Sequence, residues 1–335
     1  MCVNIQHTSF KKILKMRKNI LKSLLLVVLL FFSINLLRAQ QDPMYTQYMY
    51  NTISVNPAYA GSRGALSIVG LAREQWIGIP GRPRTQTLTI HAPIHTDNSS
   101  FSFSGDNDMG LGLSVINDDL GNYHQTMAFV DYAYSIQTTD YARLAFGLKV
   151  GVNLFQANLM DLQHQAGDPA VYNIDNKVLP NVGVGIYYYS DQGYVGLSVP
   201  KLLENDLLSD VSMLKGEEMR HYFLIAGYVF EINYDLKFKP SIFVKAVVGS
   251  PVSMDFTGNL FIKDKLGVGL AYRNGDAISG LLQYYFTPQF RIGYAYDYTL
   301  SELHQSNSGT HELMLGYDFN FNQYTNTRIH SPRFF

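Results

Sequence analysis

The chain has 335 residues, 26 of them Lys or Arg and 27 Asp or Glu, and beyond residue 39 it has no basic run of the kind that neutralises nucleic-acid phosphates. Apolar residues make up 47% of it, yet only one long apolar stretch occurs, whereas a helical membrane protein needs several. Its one cysteine is Cys2, so residues 3–335 can form neither a disulfide nor a thiolate metal site.

Residues 1–39 read as an export signal. Lys11, Lys12, Lys15, Arg17, Lys18 and Lys22 give a basic head, Leu24–Phe32 an apolar core, and Ala39 a small residue at a cleavage site. A membrane anchor is the alternative, since 20–37 is about long enough to span, although Ser33 and Asn35 shorten the core. Residues 1–39 hold seven Lys/Arg and no Asp/Glu, so removing them leaves 19 basic against 27 acidic residues and a formal charge of −8.

Residues 40–63 lack strand alternation and are rich in Tyr, Met, Gln and Asn. They are expected to enter the lumen of a barrel or cap its periplasmic mouth, with a disordered leader as the alternative; the aromatic content argues against disorder.

From residue 64 a two-residue period takes over. In 142–154, Ala142, Leu144, Phe146, Leu148, Val150, Val152 and Leu154 alternate with Arg143, Ala145, Gly147, Lys149, Gly151 and Asn153. The stretches 266–273, 290–299 and 312–321 repeat the pattern, placing Arg291, Asp297 and Glu312 opposite their aromatic and aliphatic neighbours. A β-sandwich also alternates, but its polar face is rich in Thr, Ser and Lys; here that face is Gly and Ala with isolated charges, as if lining a confined lumen. Turning Arg143 or Lys149 towards mid-membrane lipid would cost roughly 2–4 kcal/mol each, which sets the register. Arg143, Lys149, Arg291, Asp297 and Glu312 are therefore expected to face the lumen, and Tyr272, Tyr298 and Tyr317 an interfacial girdle.

The expected fold is a transmembrane antiparallel β-barrel of the outer-membrane type, with fourteen strands over 64–321. They are placed at 64–74, 84–93, 109–117, 122–138, 140–156, 181–190, 193–200, 218–232, 235–249, 252–263, 265–273, 276–286, 288–299 and 310–321; faces are ambiguous in 64–74, 218–232 and 235–249. Very short turns near Thr139, Asp191, Asn233, Asp264 and Thr287 alternate with the long links 157–180, 200–217 and 300–309, the usual periplasmic and surface ends of such barrels. The 94–108 link breaks this rule, as a long loop on the short side.

Several stretches carry a family resemblance. They are QDPMYTQYMYNTISVNPAYAG at 41–61, REQWIGIPGRPRTQTLTIHAPI at 73–94, Gly167-Asp168-Pro169 with Pro180-Asn181-Val182-Gly183, and SPRFF at 331–335. Across residues 40–335 the sequence resembles the PorP/SprF family of type IX secretion membrane proteins. The resemblance implies an outer-membrane barrel that works with the type IX machinery and helps one large secreted protein, such as an adhesin in gliding bacteria, to cross or stay at the cell surface. Tyr45, Tyr48, Asn56, Pro57 and Tyr59 in the leader, with Gln75, Trp76, Pro80 and Pro83 at the first hairpin, are the residues expected to bind that partner or plug the lumen. Trp76 could equally anchor the barrel in the membrane interface. Residues 322–335 are left as a tail.

No catalytic or cofactor pattern stands beside this. His91 and His95 lack a third metal ligand, Asp106-Asn107-Asp108 lacks calcium-loop spacing, and Ser301, Glu302 and His304 lack a nucleophile's setting. The glycine pairs Gly110/Gly112, Gly183/Gly185 and Gly267/Gly269 lie within strands and read as lumen-facing packing positions. No cofactor and no enzymatic activity are expected. A diffusion porin for small solutes is the alternative function, although no ring of lumenal charges is evident in the sequence.

Overall fold

Alternation with one face wholly apolar makes strands that must close on themselves, because lipid offers no partner for an open sheet edge. The computed structural model describes residues 42–94, 108–158, 174–207 and 218–319. It holds β1 (Leu66–Glu74), β2 (Arg84–Ile94), β3 (Asp108–Leu120), β4 (Tyr123–Thr139), β5 (Ala142–Ala157), β6 (Ile174–Ser190), β7 (Gly193–Val199) and β8 (His221–Tyr228). These continue with β9 (Phe230–Asn233), β10 (Leu236–Val247), β11 (Ser253–Ile262), β12 (Leu266–Arg273), β13 (Ala277–Tyr285), β14 (Phe290–Thr299) and β15 (Thr310–Phe319). All neighbours are antiparallel; β15 pairs with β1, and the β10–β11 pairing completes the ring. β8 and β9 both pair with β10 and are one strand interrupted at Val229, so fourteen staves close the barrel. The strand count matches the sequence expectation, while β6 begins seven residues earlier than its 181 start.

The register is the one that the charges demand. In β5, Phe146, Leu148, Val150, Val152 and Leu154 are exposed on the outer face, whereas Ala145, Lys149 and Asn153 are buried inside. Tyr272, Tyr298 and Tyr317 are exposed near strand ends. Outward aromatic pairs crowd one end: Tyr228 with Phe230, Tyr284 with Phe286, and Tyr317 with Phe319, ring centroids 4.5–4.9 Å apart. Such a girdle suits the membrane interface. Among the described residues no helix is long and apolar enough to cross a membrane; the strands do the crossing.

Links alternate between two rims. One, the short-turn rim, carries turns such as 140–141, 191–192 and 263–265. Lys263 and Asp264 both sit at φ 53°, the mirror-image turn that matches strand twist. The other, the long-link rim, carries 75–83, 200–220 and 300–309. The anomalous loop expected at 94–108 lies almost wholly outside the described residues, as do the signal, His95 and the SPRFF tail.

The three strands with ambiguous faces have a common explanation. Val69 and Leu71 of β1, Phe223 and Ile225 of β8 and Phe243 of β10 are apolar yet point inward, where they are buried in one cluster with Tyr48, Tyr50 and Tyr59. Apolar residues fall on both faces because the lumen contains protein rather than water.

Candidate functional site in the lumen and at the long-link rim

Residues 45–60 are all buried inside the barrel, in three short 3-10 turns at Tyr48–Tyr50, Thr52–Ser54 and Pro57–Tyr59. A chain that cannot pair as a strand must satisfy its backbone locally or on the wall. The last turn shows how: Asn56 caps it, its Oδ1 accepting from Ala58 N at 3.0 Å, and Pro57 stands where no N–H is needed.

The segment runs the length of the lumen. It starts at the long-link rim, where the Asp42 carboxylate pairs with Lys201 and the Asp42 N–H donates to His221 Nε2 at 3.3 Å. Burial pushes the Asp42 carboxyl upward, but Lys201 and then His221 outweigh it and hold the group below the usual carboxylate range. Lower down, Tyr45 shares a hydroxyl bond with Thr87 at 2.9 Å and Asn51 accepts from Thr89 at 2.7 Å. Tyr48 stacks on Phe243 with centroids 4.8 Å apart. Near the short-turn rim Asn56 donates to the Ile186 carbonyl at 3.1 Å, and Tyr59 meets Tyr187 edge-on. Arg63 closes the run with a 2.7 Å bond to Asp318.

The wall glycines make room for this chain. An added Cβ at Gly147 would lie 2.1 Å from Ala58 N, at Gly110 2.2 Å from the Ala60 carbonyl oxygen, and at Gly185 2.1 Å from Asn56 Oδ1. Between segment and wall a cavity of about 30 Å³ remains beside Asp42, Tyr45, Lys149 and Lys201, room for little more than a water.

The charges expected on the lumen face are mostly deep inside, and the closed ring gives them partners that no local window shows. Asp297 and Glu312 converge on Arg73, at 2.8 and 2.9 Å; Arg73 and Glu312 also bind Thr46, and Glu312 accepts from the Thr46 and Gln47 N–H groups. Lys149 pairs with Asp131 at 2.8 Å and lies 5.0 Å from the centre of the Phe129 ring. Arg291 pairs with Asp318 at 2.6 Å. Arg143, near the short-turn rim, is only half-buried. Sequence reading missed Arg73, Asp131, Asp255 and the 2.9 Å Arg273–Asp255 pair as site members; inward strand parity was the signal available for Asp131 and Asp255, but not for Arg73, whose strand has apolar residues on both faces.

The first hairpin is less exposed than its apolar tip suggests. Gln75, Trp76 and Pro83 are half-buried and only Pro80 of the four is exposed. The loop is laced to its neighbours: Trp76 N donates to Thr310 Oγ1 at 3.2 Å, Ile77 exchanges backbone bonds with Ser308 and Gly309, and Gly121 N reaches the Gly81 carbonyl. Trp76 adopts φ 50°, a left-handed conformation uncommon for a bulky side chain and of the kind found at functional sites.

His91 is buried, its Nδ1 accepting from Gly61 N at 3.2 Å. His304 Nδ1 contacts the Ser301 carbonyl rather than its hydroxyl. Among the described residues no group of three or more His, Cys, Asp and Glu is placed to hold a metal.

A closed, lipid-facing ring of fourteen strands whose lumen is occupied by its own leader defines an outer-membrane β-barrel protein with an internal plug. Over residues 37–317 the sequence matches the Type IX secretion system membrane protein PorP/SprF family, and the chain belongs to that family. It is thus an outer-membrane protein of type IX secretion. No curated protein matches it. Among solved structures it is similar to the outer membrane protein Omp33 of Acinetobacter baumannii, at 12% identity and TM-score 0.45 over 76% of this chain and 98% of that one. It is also similar to the CymD monoaromatic hydrocarbon channel, at 10% identity and TM-score 0.48 over 84% and 94%. Likeness at this level is one of barrel architecture alone.

Proposed function

We propose that this barrel holds one secreted surface protein, such as an adhesin, at its long-link rim, with help from the type IX machinery and with the outer-membrane lipid as its solvent. The observation that carries this reading is the filled lumen. An open diffusion pore needs a continuous wet path, and residues 45–60 occupy it, bonded to the wall from Tyr45 to Asn56. What remains to engage a partner is the rim. There Trp76, Pro80 and their laced neighbours form a preorganised surface, which reduces the ordering cost of binding. The leader Tyr45, Tyr48, Asn56, Pro57 and Tyr59 then serve as plug, while Gln75, Trp76, Pro80 and Pro83 serve as docking residues. No enzymatic step and no cofactor enter this role. Cleavage of the signal after Ala39 would leave two residues before Asp42 at the mouth.

The test is genetic and surface-directed. Deleting the gene should remove one protein from the cell surface, and a Trp76→Ala, Pro80→Ser chain should do the same at normal barrel abundance. An unchanged surface proteome with altered uptake of small solutes would defeat the proposal and favour the porin.

A further inference from the structure

The barrel has one pairing unlike the rest. Every other pairing joins staves consecutive in the chain, whereas β1 pairs with β15. Arg73 and Glu312 face each other across that seam from 239 residues apart. Closing a loop costs entropy that grows with its length, and contacts so distant in the chain are slow to form. A feature that gathers the two ends of the sheet therefore acts on the hardest step of folding.

The lumenal segment is tied to that seam more strongly than to the far wall. Thr46 Oγ1 accepts from Arg73 Nη1 of β1 at 2.8 Å and donates to Asp297 Oδ2 of β14 at 2.8 Å. The Thr46 and Gln47 N–H groups donate to the two carboxylate oxygens of Glu312 on β15, at 2.9 and 2.8 Å. Two adjacent residues thus hold three strands at the seam through charge-assisted bonds, which are roughly twice as strong as neutral ones. Gly293 of β14 is fitted to the same place, since an added Cβ would lie 2.2 Å from Gln47 Oε1. Arg63, just before β1, makes a similar tie at the short-turn rim, sharing Asp318 of β15 with Arg291 of β14. On the far wall the ties are neutral or long. Ser198 of β7 donates to the Val55 carbonyl at 2.7 Å, Asn56 to the Ile186 carbonyl at 3.1 Å, and Lys149 to the Ile53 carbonyl at 3.5 Å. The segment also runs straight into β1, so it stays beside that strand whether or not β15 has arrived. Buried along its length and seated on Gly110 and Gly147, it fits more readily into a sheet still open than through a finished cylinder.

We propose that the leader has a second function, as the template on which the barrel closes. Thr46 and Gln47, laid against β1, capture Asp297 of β14 and Glu312 of β15 and bring the two ends of the sheet into register. The plug is then the residue of an assembly step as well as a filling. This goes beyond the docking role, which the finished rim carries however the barrel was closed.

Refolding of the full chain from urea into lipid vesicles tests it, with closure followed by heat-modified gel mobility and unfolding measured separately. Thr46→Val keeps the size of the side chain and removes the hydroxyl. Closure should slow by about tenfold, the effect of one charge-assisted bond already made in the transition state. Thr46→Ser keeps the hydroxyl and should close within about twofold of wild type. Ser198→Ala removes a bond to the same segment on the far wall; it should speed unfolding and leave closure within about twofold of wild type. A second measurement needs no substitution. In hydrogen-exchange pulse labelling of refolding wild type, the Thr46 and Gln47 amides should gain protection no later than those of β1 and β15. A Thr46→Val chain that closes at the wild-type rate and only unfolds faster would overturn the template. So would a seam protected before residues 46 and 47, the result that decides the matter if Thr46→Val never closes. Either result leaves the docking role to its own test.

Discussion

Replacing Arg73 by Met would test whether ring closure assembles the lumenal charges as described. Arg73 sends Nη1 to Glu312 and to Thr46 Oγ1, and Nη2 to Asp297, with all three side chains buried. Met has similar length, so packing is nearly kept while Glu312 loses its counter-ion and Asp297 keeps only Arg273, at 3.9 Å. Removing one partner of a buried pair costs about 3–5 kcal/mol, because the remaining charge stays uncompensated. Neutralising both carboxylates in the same chain, as Asp297→Asn and Glu312→Gln, should return part of that loss, since the buried charges are gone and the new amide carbonyl can still accept from one of the Thr46 and Gln47 N–H groups, which Glu312 binds through separate oxygens. Trp76, the one tryptophan, sits on the loop after β1 and reports unfolding of this corner in urea by fluorescence. The expected order of midpoints is wild type, then the triple variant, then Arg73→Met well below. A wild-type midpoint for Arg73→Met, or a triple variant no better than the single one, would refute the triad.

Gly147→Val should loosen the plug: even its Cβ would stand 2.1 Å from the Ala58 backbone nitrogen, and overpacking of that kind costs about 1–3 kcal/mol, read as a lower thermal midpoint and faster proteolysis of residues 42–63. On the outer face, Val150→Arg in mid-strand should cost about 2–4 kcal/mol in a refolding titration into vesicles, and Val178→Arg nearer the rim about 0–1 kcal/mol. The Asp42–Lys201 pair at the mouth should depend on pH at both extremes. Asp42 is held below its ordinary 3.8, so its contribution is present above that value and is lost as pH falls through the lower folded value. Burial lowers the Lys201 pKa, but Asp42 and Glu218 outweigh it and lift it above 10.5; its contribution is present below that value and is lost as pH rises through the folded one. Proteolytic protection of residues 42–63 should therefore be level from about pH 5 to 9 and fall in strong acid; a midpoint near neutrality would contradict the assignment.

The outward face was legible because lipid imposes a rule on each residue separately. Phe146, Val150, Tyr294 and Leu315 must be apolar whatever stands beside them, so a two-residue period in a short window finds them and, by exclusion, sends Lys149, Arg291, Asp297 and Glu312 inward. The same local rule failed on β1, β8 and β10. Val69, Phe223 and Phe243 are apolar for a different reason, namely contact with Tyr48 and its neighbours, and nothing within those strands announces it. The first hairpin misled in the same way: an apolar tip looks exposed until the 300–309 link is seen to lie across it.

By itself, then, the sequence determined the staves, the inward and outward sides of those other than β1, β8 and β10, and the short-turn rim, each a property of neighbouring residues. Tertiary structure alone decided which charges meet. Arg73 finds Asp297 and Glu312 across 224 and 239 residues only because β15 pairs with β1. It also decided why so many inward positions are glycine rather than alanine. The backbone of a segment far off in the chain passes so close to Gly110, Gly147 and Gly185 that one methyl group would collide with it, and a clash between distant parts of a chain leaves no local period to read.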